Sequence, residues 1–122
     1  MTLVDSSGWI EYFLDNPLAS RFEKHILETG ALIIPTIVTF EVYRQLIKKI
    51  DPRDVLTAIT QMEKGEIIPL NQEISLFAAE LSLRHRLGTA DSIIYATGLI
   101  HEAKIVTLDH DFQEMQGCTV VH

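Results

Sequence analysis

Four acidic residues lie where apolar segments of the chain end or where predicted helices begin. Asp5 follows the apolar segment 2–4, and Asp109 follows "IVTL", which is rich in β-branched residues. Glu41 and Asp91 lie near the starts of segments 36–50 and 89–103. Gathered carboxylate oxygens are ligands that Mg²⁺ and Mn²⁺ favour, and such centres hydrolyse phosphodiesters. The four residues therefore predict a metal site, provided that the fold brings them together.

Short apolar segments alternate with longer amphipathic segments along the whole chain. This pattern predicts strands at 2–5, 31–35, 66–70, 104–108 and 118–122. It predicts helices at 6–16, 18–30, 36–50, 51–65, 71–88 and 89–103, the last of them apolar enough to be buried. Residues 109–117 are expected to form a loop or a short helical turn. The alternation predicts an α/β sandwich around a mostly parallel sheet of five strands.

Residues with strong end preferences mark the limits of these helices. We expect Ser6 or Ser7 to cap the first helix, Asn71 to cap the fifth, and Pro52 to occupy the first helical position of the fourth. The expected helix ends are Gly30, Gly65 and Gly88.

Ligands of open parallel sheets gather at the carboxyl ends of the strands. All four acids fall at that edge of the predicted sheet. Two carboxylates ~4 Å apart at an effective dielectric constant of about 20 repel by about 4 kcal/mol. Such a cluster requires protons or a cation, and the absence of a partnering His or Cys set favours Mg²⁺ or Mn²⁺ over Zn²⁺.

Each acid taken alone also has a purely structural interpretation. Asp5 or Asp91 can cap a helix, and Asp109 and Asp111 can form a turn. Glu41 can pair with Arg44 at i+3 on a solvated face. These interpretations leave unexplained why every acid at a strand end falls on the same predicted edge.

Composition indicates the cellular compartment of the protein but leaves its chemistry open. The 122-residue chain has one cysteine, Cys118, which excludes an internal disulfide and suits a reducing compartment. It has neither an apolar run of about 18 residues nor a signal-peptide pattern, so the expected location is the cytoplasm, with no membrane contact. The net charge of −7 argues against a general nucleic-acid-coating protein but not against a metal-dependent nuclease.

Four motifs in order resemble those of the PIN-domain ribonucleases, and specifically the VapC-like toxins of toxin–antitoxin pairs. The motifs are "VDSS" (4–7), "TFEVYRQL" (39–46), "TADSIIYATG" (89–98) and "IVTLDHDF" (105–112). The match extends from about residue 2 to residue 121, so we expect residues 1–122 to form one PIN domain. The resemblance implies a three-layer α/β/α sandwich with a parallel sheet of about five strands.

By this resemblance, the catalytic acids are Asp5, Glu41, Asp91 and Asp109, and the metal ligands are Asp5, Asp91 and Asp109. Ser7 and Thr107 are similar to hydroxyls that orient carboxylates or metal-bound water, and Asp111 is a fifth, outer acid. The implied activity is Mg²⁺-dependent hydrolysis of RNA, leaving 5′-phosphate and 3′-hydroxyl ends, with Mn²⁺ as an alternative ion. The implied partners are RNA, a small cognate antitoxin and a second copy of the chain.

Arg84 and Arg86 precede the Asp91 helix and are candidates for RNA phosphate binding, although a solvated charged face is the commoner role of such residues. Gly98 departs from the resemblance, because the family tends to have a small, alanine-like residue there, and it costs about 1 kcal/mol of helix propensity against Ala. Tyr95 is bulkier than expected inside the same helix.

Three other functions fit part of the pattern. A haloacid-dehalogenase-like phosphatase uses an Asp-x-Asp pair after its first strand, whereas "DHD" here begins at residue 109 of 122. A receiver-type phosphoacceptor needs a late Lys after a strand, and none follows 106–108. A catalytically inactive PIN-like scaffold that only binds RNA or protein is the remaining alternative, and an assay of RNA cleavage with Mg²⁺ separates it from an enzyme.

Overall fold

A five-stranded parallel sheet runs through the centre of the protein, which a computed structural model describes over residues 1–122. The strands follow the spatial order β3-β2-β1-β4-β5. Their bounds are β1 Thr2–Val4, β2 Leu32–Pro35, β3 Glu66–Ile68, β4 Lys104–Thr107 and β5 Cys118–Val120. Every neighbouring pair is parallel, so the prediction of a mostly parallel five-stranded sheet is confirmed.

Six α-helices and two short 3₁₀ turns connect the strands. The helices are α1 Ser6–Phe13, α2 Ala19–Leu27, α3 Thr36–Lys49, α4 Pro52–Met62, α5 Gln72–His85 and α6 Thr89–Ile100. The 3₁₀ turns are Thr29–Ala31 and His110–Phe112. The predicted α/β/α sandwich is therefore confirmed, and each helix ends one to three residues before its predicted end.

Several helix ends differ from those predicted. Asp5, not a serine, is the N-cap of α1, because its Oδ1 accepts the Ser6 backbone N–H at 2.7 Å. Arg86, in the left-handed conformation with φ 57°, closes α5, so Gly88 does not end that helix and instead precedes α6 as its N-cap. The expected Asn71 cap is confirmed, since its Oδ1 accepts the Ile74 N–H at 2.9 Å.

The direction of the chain across the sheet reverses once. From β1 the chain moves outward to β2 and β3, and it then crosses back to place β4 on the other side of β1. Thr2–Val4 pair with Lys104–Val106, so the first and fourth strands are neighbours at the centre of the sheet. The crevice beyond the carboxyl ends of such a pair is where ligands of open α/β sheets bind.

The core lies on both faces of this sheet. Successive residues of the central strands are almost fully buried, among them Leu3, Val4, Ile33, Ile34, Ile105 and Val106. This continuous burial is expected where helices cover both faces of a parallel sheet. None of the helices has the length and apolar content needed to cross a membrane.

Gly98 and Tyr95, the two unusual residues of α6, both have a packing role. A Cβ at Gly98 would lie 2.7 Å from Cδ1 and 2.9 Å from Cγ1 of Ile105, so α6 approaches β4 as closely as a glycine allows. Tyr95 is buried, and its hydroxyl donates to the carbonyl oxygen of Gln116 at 3.1 Å. The helix thus holds both the sheet and the segment that leads into β5.

We expect Gly98→Ala to destabilise the protein by about 1 kcal/mol, although alanine is the better helix former. The contact with buried Ile105 costs ~1–3 kcal/mol of overpacking and exceeds the ~1 kcal/mol gain in propensity. Urea unfolding measures the difference. Ile105→Val, which removes Cδ1 but keeps Cγ1, should restore part of the loss in a double-mutant cycle, and Gly30→Ala, where the added Cβ meets nothing within 4 Å, is the control. A more stable Gly98→Ala protein would contradict this account.

Candidate active site

The carboxylate of Asp5 is buried at the end of β1, with only 3% of the residue exposed. Its Oδ1 accepts the Ser6 N–H, and its Oδ2 accepts the Thr107 hydroxyl at 2.8 Å. Ser7 Oγ lies 3.1 Å from the same Oδ2. A buried carboxylate is tolerated when hydrogen bonds of this kind satisfy it. Asp5 therefore both caps α1 and presents an oriented carboxylate at the sheet edge.

Ser7 and Thr107 join the ends of β1 and β4. Their hydroxyl oxygens are 3.2 Å apart. Ser7 Oγ accepts the backbone N–H of Leu108 at 3.0 Å, and Thr107 Oγ1 accepts that of Asp109 at 2.9 Å. The two predicted supporting hydroxyls thus orient the Asp5 carboxylate and fix the backbone that carries Asp109.

Asp109 and Asp111 both contribute to a compact group of acids. Asp109 caps the 3₁₀ turn by accepting the Asp111 N–H at 2.8 Å, so the expected turn-forming role is real. Asp91, Asp109 and Asp111 each offer a carboxylate oxygen, and these oxygens lie within 4.8 Å of one another. Two oxygens bound to one Mg²⁺ at ~2.1 Å are at most about 4.2 Å apart, so small side-chain rotations close this group on one ion.

Asp91 lies half-buried in the first turn of α6 and is not its cap. Gly88 has that position, and no group of the protein donates a hydrogen bond to the Asp91 carboxylate. Its pKa is raised from the ordinary value of 3.8 to about 6, first by burial and then by the negative charges of Asp5, Asp109, Glu41 and Asp111. The helix-cap interpretation of Asp91 is therefore wrong, and its environment is strongly anionic.

Glu41 connects α3 to the same group through Ser6, a residue that the sequence did not single out for the site. Ser6 Oγ donates to Glu41 Oε1 at 2.9 Å, and its backbone N–H donates to Asp5. Burial raises the pKa of Glu41, the Ser6 hydrogen bond lowers it, and the charge of Asp5 raises it. Glu41 forms no ion pair with Arg44, so the surface-pair interpretation is wrong.

No basic side chain of the protein neutralises these acids. The one ion pair in the structure joins exposed Arg53 and Asp51 on α4, and every charge that shifts the pKa of Asp91 is negative. The donors are carboxylate and hydroxyl oxygens, which fit Mg²⁺ or Mn²⁺. The residues present thus fit a divalent cation. We call the five carboxylates at this edge the acidic group: Asp91, Asp109 and Asp111 lie together, Asp5 is held by Thr107 and Ser7, and Glu41 is joined to Asp5 through Ser6.

Arg84 and Arg86 are not brought into this cluster. Both are exposed at the end of α5, and neither pairs with an acid. The two residues stay predicted RNA-binding candidates, without structural contact to the acidic group.

A comparison with protein-family models decides the family. The model of the PIN domain matches residues 2–117, which is nearly the whole chain. The chain belongs to the PIN-domain family. The resemblance of the four acidic motifs predicts this assignment, and the match confirms it. No curated protein sequence matches this PIN domain closely enough to count as a relative.

Solved structures with the same fold include components of toxin–antitoxin systems. A toxin–antitoxin complex from Klebsiella pneumoniae has a TM-score of 0.86 and 21% identity, over 98% of this chain and 97% of that one. DNA-bound VapBC from Salmonella typhimurium has a TM-score of 0.77 and 17% identity, over 99% and 98%. The sarcin–ricin loop cleaving toxin VapC20 from Mycobacterium tuberculosis has a TM-score of 0.77 and 15% identity, over 95% of each chain. At these identities the likeness is one of fold.

The raised pKa of Asp91 predicts how stability depends on pH. Between the ordinary value of 3.8 and about 6 the folded state binds more protons than the unfolded chain, so metal-free stability falls as pH rises through this range. We expect Asp91→Asn to stabilise the metal-free protein at pH 7 by about 1 kcal/mol, or roughly 4 °C in Tm, allowing for solvent screening of a half-exposed group. At pH 4 the two proteins should melt together.

Thermal melts with a chelator over this pH range make the measurement. Asp54→Asn is the matched control, because Asp54 also lies in the first turn of a helix but is exposed on α4. Its loss should slightly destabilise the protein at pH 7, since an anion stabilises a helix N-terminus. If Asp91→Asn behaves like this control, the acids do not repel one another as described.

Proposed function

We propose that this PIN domain is a Mg²⁺-dependent endoribonuclease and the toxin of a VapBC-type toxin–antitoxin pair. The observation that carries the proposal is the gathering of five acids at the carboxyl edge of β1 and β4 without a neutralising cation. The order of the acidic motifs, the family and the fold shared with VapC and VapBC structures support it. Mn²⁺ is the alternative ion, because its ligand preferences are the same.

The metal, when bound, lowers the pKa of a water molecule and stabilises charge on the scissile phosphate. The residues of the chain supply position and charge. Asp91 and Asp109 are the proposed ligands with Asp5, and Asp111 lies close enough to join them. Thr107 and Ser7 orient the Asp5 carboxylate, since the hydroxyl of each donates a hydrogen bond to its Oδ2. Glu41, held by Ser6, is a nearby carboxylate of raised pKa that can accept a proton.

Asp5→Asn and Asp91→Asn should each lower Mg²⁺-dependent RNA cleavage by at least about 100-fold, because each removes a negative charge that would hold the metal at the site. Cleavage of labelled RNA, with analysis of the 5′-phosphate and 3′-hydroxyl ends, measures the loss. Glu80→Gln, which removes an exposed carboxylate on α5, is the control. Asp109→Asn should cost more than Asp111→Asn, because Asp109 is a proposed metal ligand and is partly buried, whereas Asp111 is an exposed outer acid.

Two outcomes would contradict these assignments. A wild-type protein that binds Mg²⁺ but leaves RNA intact favours the inactive scaffold. Folded Asp5 and Asp91 variants that cut RNA at the wild-type rate place the chemistry outside the acidic group.

We further propose that an antitoxin docks on an apolar groove between α3 and α4. The groove has a volume of about 420 Å³ and is lined by Tyr43, Ile47, Ile50, Pro52, Val55, Leu56 and Ile59. Leu56 is 70% exposed and Ile47 is 53% exposed, which is a costly arrangement for a surface without a partner. An amphipathic helix covers a groove of this kind. A basic side chain of the same antitoxin would then reach the acidic group and replace the cation.

The combined Ile47→Asp and Leu56→Asp variant should bind the cognate antitoxin at least about 100-fold more weakly, since buried apolar anchors dominate such interfaces. Its RNA cleavage should be unchanged. Isothermal calorimetry measures binding, and Leu76→Asp, on the exposed face of α5, is the control.

The antitoxin should suppress RNA cleavage and weaken Mg²⁺ binding together. Inhibition with unchanged Mg²⁺ affinity would show that the antitoxin acts away from the acidic group. Sedimentation of the free protein tests the homodimer that the resemblance implies.

A further inference from the structure

A small cavity lies directly beside the acidic group, between α1 and α3. Its volume is about 170 Å³, and its walls are Ser6, Ile10, Phe40, Glu41, Arg44 and Gln45. We propose that this cavity receives the base of a nucleotide next to the scissile phosphate, and that Phe40, Arg44 and Gln45 determine which base is accepted. The inference rests on the proposed function and adds to it a site of sequence preference.

The cavity and the acidic group share two residues. Glu41 and Ser6 are part of the cavity wall and are joined by a hydrogen bond of 2.9 Å. The backbone N–H of Ser6 donates a second hydrogen bond, to Asp5. The charge of Asp5 acts on Glu41, so the two carboxylates are close. A nucleotide whose phosphate lies at the acids therefore has its base, or that of its neighbour, within reach of this cavity.

Phe40 supplies an unpaired aromatic face at the mouth of the cavity. It is 58% exposed, and its ring pairs with no other aromatic ring of the protein. Proteins that bind single-stranded RNA stack unpaired bases on such rings, and each stacked base contributes roughly 10-fold or more in affinity. An exposed ring beside an acidic site is therefore explained by a base that covers it.

Arg44 and Gln45 add the polar groups that a base subsite needs. Arg44 is exposed, has no ion-pair partner and is the one basic residue in the cavity wall. Gln45 is half-buried and its side chain forms no hydrogen bond within the protein, so its amide N–H donors and carbonyl acceptor are free. A guanidinium holds a phosphate or an acceptor edge, and a primary amide pairs with a donor–acceptor edge of a base.

The size of the cavity favours one base over a larger ligand. Pockets for drug-sized molecules and cofactors measure roughly 300–1,000 Å³, well above the volume found here. A single planar ring system is the largest group that it accommodates together with a stacked Phe40.

The test compares cleavage of RNA oligonucleotides in which the bases flanking the cleaved bond are varied one at a time. Phe40→Leu keeps an apolar side chain but removes the stacking face, and we expect it to lower kcat/KM about 10-fold, mainly through KM. Phe40→Tyr should retain activity. Gln45→Glu should change the order of preferred bases, because it replaces the amide donor with a second acceptor. Leu76→Ala, equally exposed on α5, is the control.

Mg²⁺ binding, measured by calorimetry, should be the same for wild type and for the three variants that leave the charge unchanged, Phe40→Leu, Phe40→Tyr and Leu76→Ala. Gln45→Glu adds a negative charge to the wall that also contains Glu41, so it is judged by its base preference alone. If wild type cuts RNA while Phe40→Leu and Gln45→Glu keep its KM and base preference, the subsite is wrong and the proposed function stands. If KM rises only together with a loss of Mg²⁺ affinity, the cavity residues act by supporting Glu41, and the subsite is again wrong. If wild type cuts no RNA, the proposed function itself fails, and the subsite with it.

Discussion

Mutual repulsion of carboxylates is the constraint around which this PIN domain is arranged. Five acids from four parts of the chain meet at one edge of the sheet, and none of them forms an ion pair with a basic side chain. Repulsion of this size would separate flexible side chains. The charges stay together because the backbone that carries them is fixed by the sheet and by hydroxyl groups, and because a divalent ion can compensate them.

Hydroxyl groups hold the acids in position in two regions of the site. Ser7 and Thr107 bind the Asp5 carboxylate and the backbone of the segment after β4, while Ser6 connects Asp5 to Glu41 on α3. Each hydroxyl has one proton to donate and accepts in other directions, so a few small side chains orient several acids at once. Such a network explains how an anionic site is held rigid without arginine or lysine.

The sequence predicts most of the architecture because its signals are local. Alternating apolar segments reveal all five strands and six helices, and acids at strand ends reveal the edge where they meet. Helix ends are less predictable: Arg86 adopts a left-handed conformation that glycine usually supplies, and Asp5 displaces the serines as a cap. Ser6 is missed because its partner Glu41 is 35 residues away, and only the folded chain shows that they touch.

The pairing of β1 with β4 has a consequence for synthesis of the protein. Thr2 pairs with Lys104, and the hydroxyl of Thr107 reaches Asp5 across 102 residues of sequence. A ribosome therefore synthesises most of the domain before β1 and β4 can pair, and the nascent chain holds Asp5 without its Thr107 partner until then. Contacts this distant in sequence also form slowly, because the entropy of closing a long loop must be overcome first. The acidic centre is consequently among the last parts of the domain to assemble.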